Sequence, residues 1–122
     1  MEDAHLGRLC QMQSRREFDT AVIRLSGEFD LSCEDTFFEE LGRTLDSETS
    51  TLILDLQALE FIDSTGLRML LSLDNLARSD GLDFTVFCGD GTVRRVLRET
   101  GLDGVLPLVD PSGLVPATDS PV

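Results

Sequence analysis

Phe61-Ile62-Asp63-Ser64-Thr65-Gly66-Leu67, led by the apolar run Thr51-Leu52-Ile53-Leu54-Asp55-Leu56, decides how this chain folds. The run is extended in character and almost wholly apolar, the pattern of a strand buried on both faces of a sheet, so it is placed at the centre. Beyond the small residues, Leu67, Leu70, Leu71, Leu73, Leu76 and Ala77 form a wide apolar stripe that stops at Ser79-Asp80-Gly81. That spacing predicts a helix from Thr65 to Ser79, with Ser64 as its N-cap. A buried strand thus turns sharply into a helix, with a hydroxyl at the junction.

Upstream, residues 8–17 alternate as an edge strand, and Thr20-Ala21-Val22-Ile23-Arg24-Leu25 is a better one, read as ending at Ser26-Gly27. A hairpin through Glu17-Phe18-Asp19 pairs them. After Asp30 the period becomes helical through Phe37, Phe38, Leu41 and Leu45, with Ser32 as N-cap and Glu34 and Asp35 in the first turn, a helix of about 14 residues. Downstream come a strand at Phe84–Cys88, a Gly89-Asp90-Gly91 turn, and a helix from Thr92 with Val93, Val96 and Leu97 on its apolar face and Gly101 closing it. A short strand within Val105–Val109 is held to an edge by Pro107. The expected architecture is α/β: one domain over residues 8–109, a mixed sheet of about four to five strands covered by helices. Residues 1–7 read as a flexible terminus, and residues 110–122, with three of the four prolines, as a disordered tail.

Composition narrows the function. A chain of 122 residues fits one domain, which at this size buries about 65% of its unfolded surface without staples. Asp and Glu number 23 against 10 basic residues, a net charge of -13, and such a field repels nucleic acid and anionic lipid. No apolar stretch reaches the ~18 residues of a membrane span, so a cytoplasmic location is expected. Every basic residue is Arg, which removes Schiff-base chemistry and a phosphate-loop lysine together. Cys10, Cys33 and Cys88 are widely spaced and His5 is the sole histidine, so no metal site is expected, and the thiols read as small buried hydrophobes. No cofactor is expected either.

The chemistry concentrates at Ser64. Free N–H groups of a first helical turn and the positive end of the helix dipole favour an anion there, so a phosphate on Ser64 would be held with little strain. It would add about -1.5 to -2 charges beside Asp63 and change any interface over the spot. By spacing alone, Ser64 as a plain helix cap is the favoured reading.

The sequence resembles the STAS domains of anti-sigma factor antagonists, a bacterial family in which a strand runs into D-S-S/T-G-L and the first serine is phosphorylated. Asp63-Ser64-Thr65-Gly66-Leu67 matches that element, Leu25-Ser26-Gly27-Glu28-Phe29-Asp30 is similar to the family's G-E-x-D segment, and Asp90 to Leu102 fits its third helix. The resemblance implies a binding protein rather than an enzyme. Unmodified, it would capture an anti-sigma factor and release the sigma factor; phosphorylated on Ser64 by that anti-sigma factor acting as a serine kinase, it would let go, and a phosphatase would reset it. The same transfer puts Asp30 near Ser64 on the partner-facing surface, with Asp63, Thr65 and Gly66 shaping the loop. Thr65 stands where many relatives have a second serine, which leaves a second acceptor open. Asp55 is read as a structural residue at a strand end.

Three other readings compete. A two-component receiver shares the alternating architecture, and Asp55 resembles its phospho-acceptor, but the required lysine is missing. A serine hydrolase fails because Ile62 occupies the first glycine of G-x-S-x-G and His5 has no motif. The third is an anion- or nucleotide-binding or scaffold module in which Ser64 is never modified.

Overall fold

The computed structural model describes residues 10–109; the first nine residues, including His5, and the stretch 110–122 lie outside it, as do the expectations made for them. Five strands form one sheet whose spatial order follows the chain: β1 (Gln11–Glu17), β2 (Thr20–Phe29), β3 (Thr51–Ile62), β4 (Asp83–Phe87) and β5 (Leu108–Val109). β1 runs antiparallel to β2, and every later neighbour is parallel, so the sheet is mixed. Three helices make the crossovers: α1 (Glu34–Thr44), α2 (Ser64–Ser79) and α3 (Thr92–Glu99). Single 3-10 turns at Leu31–Cys33 and Leu102–Gly104 precede α1 and β5.

β3 is the central strand, as its apolar run predicts. Its Leu52, Leu54 and Leu56 are buried, and they share the core with Ala21, Ile23, Leu25 and Phe29 of β2 and Val86 of β4. From the helices come Phe37 and Leu41 of α1, Met69, Leu70 and Leu73 of α2, and Val93 and Leu97 of α3. Phe29 and Phe37 meet edge to face, with ring centroids 5.0 Å apart.

Two strands run further than the sequence pattern predicts, and both corrections bear on the site. β2 does not stop at Ser26-Gly27 but continues to Phe29. Gly27, at φ 83, sits at a register shift against β3, so the glycine that reads as a terminator makes a bulge. β3 likewise passes Leu56 and continues to Ile62, absorbing two register shifts. The Asp55 carboxylate accepts the Gln57 N–H at 2.9 Å across the first of these. Asp55 is therefore structural, as expected, but within the strand rather than at its end.

The start of α1 also differs. Asp30, not Ser32, caps the entry: its Oδ1 accepts the Ser32 backbone N–H at 3.0 Å and the Ser32 hydroxyl at 2.6 Å, which closes a 3-10 turn. The α-helix begins only at Glu34 and has 11 residues. β4 and α3 lie where expected, Gly101 takes the left-handed conformation (φ 80) after α3, and the last strand shrinks to two residues beyond Pro107.

Candidate functional site

The parallel pairing of β2 with β3 brings the two sequence-predicted segments together. Phe29 and Ile62 are the last paired residues, and the Asp63 N–H donates to the Phe29 carbonyl at 3.3 Å. Asp30 and Asp63 therefore leave the sheet side by side. In an open α/β sheet this edge, where parallel strands end and helices begin, is the usual place for a ligand or partner.

Asp63, rather than Ser64, is the N-cap of α2. Its backbone is extended (φ -106, ψ -172), its Oδ1 accepts the Gly66 N–H at 2.9 Å, and its carbonyl accepts the Leu67 N–H at 2.9 Å. A carboxylate reaching the third helical residue satisfies one orphan donor and complements the dipole, which is why aspartate takes the position here. Ser64 becomes the first helical residue. It is exposed, and among the described residues its hydroxyl has no hydrogen-bond partner. Thr65 is half-buried beside it. Gly66 is buried for a steric reason: a Cβ there would collide with the Phe29 carbonyl oxygen and lie 2.7 Å from Ile62 Cγ1. The missing side chain lets the first turn of α2 rest directly on the end of β2.

Around this junction lie groups that a sequence pattern does not single out. Leu31 is 66% exposed and Phe61 42% exposed. Phe61 pairs in register with Glu28, and Leu31 follows Asp30, so the two apolar side chains belong to the same two strand exits as Ser64. Arg68 is exposed four residues after Ser64, one turn along α2. That i,i+4 spacing is the signal that would have found it. The surroundings are otherwise acidic, with Glu28, Asp30, Glu34, Asp35, Glu60 and Asp63 in the flanking segments.

The arrangement offers an accessible nucleophilic oxygen at a helix start, a neighbouring aspartate already turned toward its own loop, and exposed apolar surface. Among the described residues the junction brings no histidine to the oxygen, and its ionisable neighbours are carboxylates and the Arg68 guanidinium. No group of metal-ligating side chains forms among the described residues. None of their helices is long and apolar enough to cross a membrane.

A mixed five-stranded sheet with this strand-to-helix junction defines an α/β domain of one recognisable kind, and the comparison with known proteins gives it a family. The STAS domain model matches residues 11–112, and the chain belongs to that family. Several of the relatives it resembles are named anti-sigma factor antagonists. It is 30% identical over 83 residues to the anti-sigma-F factor antagonist RsfB of Mycobacterium tuberculosis, covering 68% of this chain and 67% of that one. To an anti-sigma F factor antagonist of Paenibacillus polymyxa it is 27% identical over 101 residues, covering 82% and 86%. The crystal structure of an anti-sigma factor antagonist from Mycobacterium paratuberculosis superimposes with a TM-score of 0.73 at 26% identity, covering 84% of this chain and 86% of that one.

Proposed function

We propose that the unmodified protein binds an anti-sigma factor across the β2 and β3 exits, so that the sigma factor is released. Phosphorylation of Ser64 by that anti-sigma factor, acting as a serine kinase, ends the binding, and a serine phosphatase restores it, all in the cytoplasm. Asp30, Asp63, Ser64, Thr65 and Gly66 form the partner-facing loops, with Leu31 and Phe61 as apolar anchors.

The observation that carries this reading is an exposed Ser64 hydroxyl that no group among the described residues employs, at the head of a helix capped by another residue. A phosphate there would find the unpaired N–H groups of the first turn and Arg68 one turn away, which stabilise it without moving the sheet. Its two charges would meet Asp30 and Asp63 and turn an apolar-and-acidic patch into a strongly anionic one. A partner that docks on Leu31 and Phe61 loses contact through that local repulsion and desolvation. ATP and magnesium belong to the kinase, since this chain has no lysine-bearing phosphate loop.

The test is co-purification from native cells with intact-mass measurement, followed by binding of the captured anti-sigma factor to two variants. Ser64→Ala is expected to stay bound through incubation with ATP, while Ser64→Glu loses at least tenfold in affinity. Equal affinity of the two variants, or phosphate found only on another residue, overturns the reading.

A further inference from the structure

α1 lies parallel along β1, and the contacts fix the register. Arg16 reaches the Thr44 carbonyl and the Asp46 carboxylate just past the end of α1, at 3.5 and 2.8 Å, and the Ser14 hydroxyl donates to Glu40 at 2.7 Å. Continuing back along the same half-buried face of β1 passes Met12 and arrives at Cys10, which packs against the core cluster containing Cys33. From residue 16 to residue 10 a strand covers about 20 Å, and from residue 44 to residue 33 a helix covers about 17 Å. Cys10 therefore meets Cys33 at the start of α1. The two thiols, 23 positions apart in sequence, lie close enough that each alters the ionisation of the other. Wide spacing had made all three cysteines look like isolated buried hydrophobes; only Cys88 is one.

Three features distinguish the pair from inert core thiols. Cys33 is the N-cap residue of α1, a position where the positive end of the helix favours a thiolate, and its side chain makes no capping bond. Its Sγ also donates to the Asp30 carbonyl at 3.3 Å. The neighbouring Cys10 thiol holds the Cys33 thiol below its ordinary range, against burial and the Asp30 charge, while the same proximity pushes Cys10 up. Cys10 is only partly buried and gives an oxidant a way in, whereas Cys88 is fully buried and burial pushes its thiol up to about 11.

We propose that Cys10 and Cys33 form a reversible dithiol–disulfide site that is oxidised by hydroperoxides. The Cys33 thiolate attacks the peroxide oxygen; the O–O bond breaks, an alcohol or water leaves after taking up one proton, and Cys33 becomes a sulfenic acid. The Cys10 sulfur then displaces hydroxide from the Cys33 sulfur, and that hydroxide leaves as water with the Cys10 proton. The two thiols lose two electrons and the peroxide gains them. The cross-link fastens the start of β1 to the 3-10 turn that Asp30 caps, and the Cys33 donor to the Asp30 carbonyl is lost. One of the two loops of the candidate site is thereby stiffened, whatever partner it serves.

The experiment treats the full-length reduced protein with hydrogen peroxide, then unfolds and alkylates it. The expected product is monomeric, lighter by two hydrogens, retains one alkylatable thiol assigned to Cys88, and yields a peptide joining Cys10 to Cys33 that a dithiol reductant splits. Its thermal midpoint lies above that of the reduced protein. Cys88→Ser gives the same cross-link, and Cys10→Ser gives neither cross-link nor rise in midpoint. Three alkylatable thiols after treatment, a bond involving Cys88, or a disulfide-linked dimer as the main product overturns the proposal.

Discussion

The two ends of the parallel strand pair β2 and β3 use their polar groups in opposite ways. At the N-terminal end almost every polar side chain ties down a loop. Asp19 accepts the Ser50 hydroxyl at 2.7 Å, and its carbonyl accepts the N–H groups of Ser50 and Thr51. Asp46 accepts Arg16 at 2.8 Å and the Glu48 N–H at 2.8 Å, while Arg16 Nε donates to the Phe18 carbonyl at 2.8 Å. This network holds Phe18 at φ 56, a left-handed conformation that a bulky side chain adopts only when its surroundings impose it. At the C-terminal end, Asp30 and Asp63 each satisfy their own loop and go no further, and Ser64, Leu31 and Phe61 are left outward. An end whose polar groups are spent internally serves the fold; an end that closes its loops locally leaves an oxygen and apolar surface open, which is what the proposed docking needs.

The largest effect should come from the one place where the open end depends on tight packing. Gly66→Ala puts a methyl into the Phe29 backbone and the Ile62 side chain, neither of which has a free direction to yield. A loss of about 3 kcal/mol in urea unfolding is expected. Gly42→Ala, also in a helix but with nothing within 4 Å of the added atom, should instead stabilise by about 1 kcal/mol. If both substitutions are harmless, α2 does not sit on β2 as described.

At the closed end, pH is the lever. The Arg16 guanidinium, first, and then the Glu48 N–H hold the Asp46 carboxyl down to about 2, below the usual carboxylate value near ~4. A carboxylate depressed by folding adds stability that is fully present above its unfolded value and is lost as pH falls through the folded one. Asp46→Asn should therefore lower the thermal midpoint relative to wild type at pH 7. The gap should narrow between about pH 4 and pH 2. Both groups are solvent-exposed, so added salt should shrink the gap at neutral pH as well. A gap that stays constant across the titration would mean that Asp46 acts by shape and not by charge.

The contrast between the ends also explains what could be read in advance. Strands and helices were legible wherever one apolar period persisted: β3 from its aliphatic run, α2 from its leucine stripe, α3 from Val93, Val96 and Leu97. The misreadings fell where a local residue has two physical uses. Gly27 ends strands and also makes bulges, and tertiary pairing with β3 selected the bulge. Asp63 and Ser64 are both good N-caps; backbone geometry decides, and only Asp63 is extended with its carboxylate aimed three residues ahead. The juxtaposition of Asp30 with Ser64 came from a family resemblance, because no local pattern says which strands will be neighbours. Leu31 and Phe61 stayed hidden because exposure is a property of the packed molecule, and a lone apolar residue at a strand exit gives no sign of it in the sequence.

The cap assignment sets the smallest expected effect and the sharpest division between fold and function. If Asp63 carries the helix start, Asp63→Ala removes the acceptor for the Gly66 N–H and should cost about 1 kcal/mol. Ser64→Ala removes an oxygen that bonds nothing among the described residues, and alanine at a first helical position is no worse a helix former than serine. Its unfolding curve should overlay that of wild type to within about 0.5 kcal/mol. A loss near that of Asp63→Ala would mean that the hydroxyl does cap α2, and the oxygen would then have a structural reason to be there. With stability unchanged, any loss of phosphate uptake or of partner release in Ser64→Ala has to be assigned to the oxygen itself, because no other group among the described residues bonds to it.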